Sequence, residues 1–226
     1  MPITTCVFDA YGTLFDVNAA ARRAANDPEH ADLANVWPSL AEIWRTKQLQ
    51  YTWLRSLTGD YVDFWQVTQD GLDFALEKLK IGTEPRERLL QLYWELAAYP
   101  EVQEMLTALK TAGLKTAILS NGSNDMLNAA VTHAGLEGHL DHVLSVETVG
   151  TFKPSAVVYE MVETTMHCDR KDVLFVSSNG WDIAGASGFG FTTAWVNRTG
   201  EPQDRLAAGP HHILNDLTPI PTLLGM

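Results

Sequence analysis

Cysteine is nearly absent from this chain. Cys6 and Cys168 are the only two in 226 residues, which excludes a disulfide framework. Cys6 sits inside an apolar run and reads as a small buried hydrophobe. Basic residues are also scarce: 16 Lys and Arg stand against 28 Asp and Glu, a net charge of −12. That balance excludes a nucleic-acid partner, whose phosphates need a basic face. It also means that a small anionic substrate needs a locally positive pocket. No apolar run approaches the ~18 residues of a membrane span, so no membrane partner is expected. The chain runs from Met1-Pro2 straight into a strand pattern with no secretory leader, and a cytoplasmic location is the expectation. Internal repeats and low-complexity tracts are missing. Gly188-Phe189-Gly190 precedes a strand instead of opening a helix, so it is no dinucleotide motif, and no cofactor is expected. What is present is ordinary for a globular protein: 46% hydrophobic and 19% charged residues.

The apolar run Ile3 to Phe8 reads as a buried strand ending at Asp9, with a tight turn at Gly12. From about Asn18 to Ala98 the pattern is helical throughout. Leu40, Ile43, Trp44, Tyr51, Leu54 and Leu57 form an apolar stripe on a helix over 39–57, with Pro38 at its start. A second helix is expected from about 61 or 65 to 80, and a third from Pro85 to Ala98. From Pro100 onward strands alternate with helices: strands at 115–119, 142–146, 173–176, 191–196 and 212–214, and helices at 101–112, 124–134, 155–166 and 181–187. This alternation predicts an α/β fold, a doubly wound parallel sheet with right-handed crossovers. The domain division that follows is a core of 1–15 plus 99–226 and an inserted all-helical cap of 16–98.

Polar clusters stand at several strand ends, which in a parallel sheet open on one edge. Each has two readings. Asp9 is a turn residue or a carboxylate in the crevice. Ser120 and Asn121 cap the next helix or bind an anion beside its N-terminus. Asp182 complements a helix N-terminus or pairs with Lys153 or a water. Lys153, held out of helix by Pro154, is an exposed loop lysine or a cation that aims Asp9. Arg45 is a solvated or snorkelling side chain or part of a site, and Trp181 is core or the wall of a dry pocket.

The joint set Asp9-Ala10-Tyr11-Gly12-Thr13-Leu14, Leu119-Ser120-Asn121-Gly122, Lys153-Pro154 and Ser177-Ser178-Asn179-Gly180-Trp181-Asp182 resembles the motifs of the haloacid dehalogenase superfamily. Within it the chain is similar to the L-2-haloacid dehalogenases, and the segment from Trp44 to Arg55 matches that family too. Phosphatases of the superfamily carry a second Asp where Tyr11 stands, as general acid. They also carry an acidic pair for magnesium, of which Ser178 replaces the first member and Asp182 is the second. These departures favour a metal-free reaction, since halide leaves without a proton and Mg²⁺ usually needs carboxylates plus substrate phosphate.

The resemblance implies covalent catalysis. Asp9 attacks C2 of a short L-2-halocarboxylate, expels halide and forms an ester, and water hydrolyses the ester to a D-2-hydroxy acid. It implies that Lys153 and Thr13 hold Asp9. Asp182, oriented through Lys153 and Asn179, positions or activates water. Ser120 and nearby amides, including that of Ala10, receive the substrate carboxylate. Arg45, Asn121 and Trp181 cradle the halide. Leu49 and Phe64 are apolar walls with Tyr11 at their flank, and Ser177 and Tyr159 complete the polar shell. Thr46 departs from the Gln that many relatives carry beside the cap arginine. Relatives are commonly homodimers, an expectation extended to this chain. A magnesium-dependent phosphatase and a catalytically silent binding protein of the same fold are the alternatives.

Overall fold

The computed structural model describes residues 2–25 and 33–226. Residues 26–32 of the expected helical stretch lie outside the described residues. Six strands, β1 (Thr5–Phe8), β2 (Lys115–Ser120), β3 (His142–Ser145), β4 (Val173–Ser177), β5 (Thr192–Val196) and β6 (His212–Leu214), form one sheet. The order is β3-β2-β1-β4-β5-β6, and every pairing is parallel. All residues of β1 and β4 are buried, as expected of strands covered on both faces, which is why they read as continuous apolar runs. Complete burial of a side chain such as Phe8 or Phe175 stabilises the fold by about 1.5–3 kcal/mol. Burial also pushes the Cys6 thiol up to about 12, consistent with an inert packing role.

β1 lies where the winding reverses: the chain leaves it for β2 and β3 on one side, then crosses back to β4, β5 and β6 on the other. Such a switch point leaves a crevice beyond the carboxyl ends of the strands. Asp9 follows β1 directly, and its N–H still donates to Val176 O at 2.9 Å. β2 and β4 each run one residue further than the apolar pattern, so Ser120 and Ser177 are the last residues of their strands.

Among the described residues, four helices lie between Phe15 and Ala98: α1 (Ala19–Ala25), α2 (Trp37–Thr58), α3 (Phe64–Leu79) and α4 (Arg86–Trp94). Pro38 stands in the first turn of α2, and Gly59, left-handed at φ 72°, ends that helix. Asp63 caps α3 by accepting from Gln66 N. α3 ends at Leu79 with Lys80, itself left-handed, as its cap, close to the expected end at 80. α2 and α3 approach closely at Gly71, where a Cβ would come within 3.3 Å of Gln48 N and Trp44 O. The third expected helix is shorter than its pattern. α4 ends at Trp94, because Asp16 N donates to Ala97 O and Tyr99 N to Leu14 O, pairing the outgoing and returning connections in an antiparallel bridge at Phe15 and Ala98. The remaining helices are α5 (Val102–Thr111), α6 (Asn124–His133), α7 (Ala156–Met166), α8 (Gly180–Phe189) and the short α9 (Ile220–Leu223). Among the described residues no helix is long and apolar enough to cross a membrane.

Candidate active site

Every polar cluster flagged at a strand end meets at the carboxyl edge of the sheet. Asp9 is buried, and three donors converge on its carboxylate. Lys153 Nζ lies 3.0 Å from Oδ1, while Thr13 Oγ1 at 2.9 Å and Asn179 Nδ2 at 3.1 Å donate to Oδ2. Gly12, at φ +88°, makes the turn that returns Thr13 to Asp9, a conformation costly for any residue with a side chain. Thr13 Oγ1 also accepts from Ser178 N at 2.8 Å and lies 3.2 Å from Ser178 Oγ. Ser178 thus supports Thr13 at the position where an acidic ligand would otherwise stand.

Lys153 is 1% exposed and bridges two carboxylates, with Asp182 Oδ2 at 2.8 Å opposite Asp9. It is no loop lysine in solvent. The peptide bond it forms with Pro154 is cis, a feature the sequence pattern does not disclose. Burial works against the ammonium, but the charges of Asp182 and Asp9 outweigh it, and its pKa lies above that of an ordinary lysine. Asp182 is fully buried in the first turn of α8. Burial raises its pKa, Lys153 opposes the shift and Asp9 adds to it, with a net rise. Tyr159 OH donates to Asp182 Oδ1 at 2.8 Å, so Lys153 and Tyr159 orient this carboxylate. Asn179, expected to share that task, turns its side chain to Asp9 and Arg45 instead.

The capping readings of Ser120 and Asn121 do not hold. Ser123 caps α6, accepting from Met126 N at 3.3 Å. Ser120, last in its strand, turns its Oγ to accept from Gly122 N at 3.1 Å. Asn121 Oδ1 accepts from Lys153 N at 2.9 Å, and among the described residues its Nδ2 has no partner. Asp182 meets both of its readings: it stands in the first turn of α8, and its side chain bonds to Lys153 and Tyr159.

Asp9, Tyr11, Arg45, Leu49, Phe64, Ser120, Asn121, Asn179 and Trp181 line one cavity of about 10 Å³, room for a single water molecule. Thr13, Lys153, Asp182 and Tyr159 stand behind this wall. Ser177 supports it by accepting from Asn179 N at 3.1 Å. Ala10 is buried beneath the wall, its carbonyl accepting from the N–H groups of Thr13, Leu14 and Phe15. Among the described residues the N–H groups of Ala10 and Tyr11 carry no partner. Tyr11 lies 5.8 Å from the Phe64 ring and 5.7 Å from Tyr93. Burial and the adjoining Tyr93 push its phenol well above the usual range, with Arg45 opposing, so it is a neutral wall. Trp181 packs edge-on against Trp53 at 5.4 Å, and its indole N–H is buried without an acceptor among the described residues.

Arg45 reaches down from α2 into this cavity. It contacts Tyr11 O at 3.5 Å and Asn179 Oδ1 at 3.4 Å, long for hydrogen bonds, and donates to Gln48 Oε1 at 3.0 Å. It forms no ion pair among the described residues, so its charge is left for the cavity. Thr46, the departure from the family pattern, is exposed and does not line the cavity. Gln48, Thr68 and Tyr93, which meet behind Arg45, were not singled out from the sequence. The one signal for Gln48 was its position three residues after Arg45 on the predicted helix, where side chains share a face.

A buried carboxylate at a sheet switch point, paired with a buried lysine beneath a helical cover, is an arrangement that suits an α/β hydrolase. The haloacid dehalogenase-like hydrolase family model matches residues 3–190. (S)-2-haloacid dehalogenase 1 of Pseudomonas sp. (strain CBS-3) is 46% identical over 230 aligned positions, covering 99% of this chain and 97% of the relative. A solved dehalogenase in an intermediate complex has a TM-score of 0.94 at 39% identity, covering 99% of this chain and 98% of that one. The L-2-haloacid dehalogenase of Xanthobacter autotrophicus with chloropropionic acid covalently bound has a TM-score of 0.89 at 36% identity, covering 99% and 98% of the two chains. The chain belongs to the haloacid dehalogenase-like hydrolases and, within them, to the (S)-2-haloacid dehalogenase family.

Proposed function

We propose that this protein hydrolyses short L-2-haloalkanoic acids to D-2-hydroxy acids without a metal. The observation that carries the reading is one small cavity holding both Asp9, fixed by three donors, and Arg45, whose charge no carboxylate neutralises. A carboxylate oxygen of Asp9 attacks C2 opposite the halogen. The C–X bond breaks with both electrons going to the halide, and Asp9 becomes an ester. One displacement inverts C2. Developing negative charge on the halogen meets Arg45, the unpartnered Nδ2 of Asn121 and the unpartnered indole N–H of Trp181, donors already in place before reaction. The substrate carboxylate is received by Ser120 and the free N–H groups of Ala10 and Tyr11, and its alkyl part by Leu49, Phe64 and Tyr11.

Water then attacks the ester carbonyl of Asp9. One water proton passes by way of Asp182 and its Lys153 and Tyr159 partners to the alcohol oxygen, which leaves protonated, and the other is released to solvent as Asp9 is regenerated as a carboxylate. The raised pKa of Asp182 makes it a better proton acceptor than a free aspartate. Three features support metal independence: Lys153 already bridges Asp9 and Asp182, Ser178 is engaged with Thr13, and Tyr11 offers no second carboxylate. The cap of 16–98 over a core of 1–15 plus 99–226 supplies Arg45 to the site. We assign the protein to the cytoplasm and to a homodimer, for which the exposed Leu54 and Leu57 of α2 are candidate contacts, to be checked by sedimentation.

The test is halide release from L-2-chloropropionate and its D-enantiomer, with and without chelator. Release from the L-substrate, unaffected by chelator, is expected; no release from either enantiomer removes the reading. Chelator-sensitive release of phosphate from phosphate esters points to the phosphatase alternative. In a single turnover in ¹⁸O-water, the label is expected in Asp9 by peptide mass, and label appearing first in the product excludes the ester.

A further inference from the structure

Gln48 is 1% exposed, and its Oε1 accepts from Arg45 at 3.0 Å, closer than the Tyr11 and Asn179 contacts of that guanidinium at 3.5 and 3.4 Å. The orientation of its amide follows from its neighbours. Thr68 Oγ1 donates its single proton to Phe64 O at 2.7 Å, so towards Gln48 it acts as acceptor, from Nε2 at 2.7 Å. That leaves the carbonyl Oε1 facing Arg45 Nη1 at 3.0 Å. Tyr93 OH, 3.1 Å from Nε2 and 3.3 Å from Oε1, fills the remaining side of the amide. Trp44 Nε1 ties the same turn of α3 by donating to Thr68 O at 2.8 Å. The arginine is therefore held from behind by a buried chain anchored in α3.

Among the described residues the acceptors around Arg45 are neutral: the amide oxygen of Gln48, the carbonyl of Tyr11, the amide oxygen of Asn179 and the neighbouring Tyr93 hydroxyl. A carboxylate at position 48 would fill the same space, but it would lose the bond donated to Thr68 Oγ1 and cancel the charge facing the cavity. We propose that Gln48 is a positioning residue that aims the Arg45 guanidinium at the departing halide while leaving its charge unneutralised. This rests on the reading of Arg45 as halide partner.

The test compares the full-length protein with Gln48→Glu and Gln48→Leu. The measurements are bromide affinity, from titration of tryptophan fluorescence and from inhibition, and kcat and KM with L-2-chloropropionate across pH. Gln48→Glu is expected to weaken bromide binding at pH 8 by ~10-fold or more through the new neighbouring charge. Its kcat should fall more than its KM rises, and bromide binding should recover as the pH drops and the new carboxyl is protonated. Gln48→Leu, which frees the guanidinium without adding charge, should weaken bromide binding by less and with no pH dependence. A folded Gln48→Glu protein with wild-type bromide affinity at every pH overturns the inference. If that variant does not fold, unchanged bromide affinity in Gln48→Leu overturns it instead. Wild-type protein that neither binds bromide nor releases halide removes the halide reading and this inference with it, an outcome visible without any variant.

Discussion

Asp9, Lys153 and Asp182 place two carboxylates and one ammonium in a single buried cluster, so the loss of different members has unequal consequences. Removing Asp9 leaves Lys153 paired with Asp182, a neutral buried pair. Asp9→Ala is therefore expected to keep the fold while turnover drops by ~10⁴-fold or more, as for loss of a covalent nucleophile; circular dichroism, thermal unfolding and halide release check both halves. Removing Lys153 leaves Asp9 and Asp182 without their cation. Lys153→Met should cost about 3–5 kcal/mol of stability as well as activity, because an uncompensated buried charge remains, and denaturant unfolding measures it. Asp9 followed a plain apolar run and could be read from the sequence as a carboxylate at a strand end. Its pairing with Lys153, 144 positions away, was one of two readings open in the sequence, and the contact at 3.0 Å decides between them.

The elements that carry the site are short strands ending in serine or aspartate and one long cap helix. Their types followed from periodicity, because β1 and β4 are mostly apolar and α2 buries Leu40 and Trp44, although Leu54 and Leu57 of its expected stripe are exposed and Gln48 and Thr52 are buried instead. Where the pattern misled, a non-helical partner had claimed the backbone: residues beyond Trp94 pair with 14–16, ending α4 early. α2 and α3 pack closely at Gly71, beside Trp44 and Gln48, the turn that bears Arg45. A methyl group there forces the two helices apart by a few tenths of an ångström. Gly71→Ala is expected to cost about 1–3 kcal/mol through overpacking and to lower kcat through displacement of Arg45. A thermal melt and a kinetic assay on the same preparation check the two together.

At the scale of the whole molecule, the cavity holds room for one water, and admission of the proposed halocarboxylate is expected to require a shift of α2 and α3 from the sheet edge. Such a shift breaks the long Arg45–Asn179 contact and the bond from Phe152 N to Ser56 Oγ. The buried ionisable groups also set a pH limit on the fold. Lys153, Tyr11 and Tyr159 all have folded pKa values above their unfolded values of 10.5, 10.0 and 10.0. In each case the native state holds its proton where the unfolded chain releases it. The stability contributed is thus fully present below pH ~10 and is lost as pH rises through the folded values. Denaturant midpoints measured from pH 8 to pH 11 should fall steadily above pH ~10, and a flat profile would contradict this account.

The sequence by itself determined the alternation that makes a parallel sheet, the helical insertion after Phe15, and the set of strand-end residues from which a site is built, because hydrophobic period and turn chemistry are local properties of the chain. Only the tertiary structure decided that Lys153 lies between Asp9 and Asp182, that Asn179 serves Asp9 and Arg45 rather than Asp182, that Ser123 rather than Ser120 or Asn121 caps its helix, and that Gln48 holds Arg45. Each of these is a choice among several polar partners within reach. It is made by which side chains the packing of α2, α3 and the sheet edge brings within hydrogen-bond distance, and neither spacing nor composition encodes that.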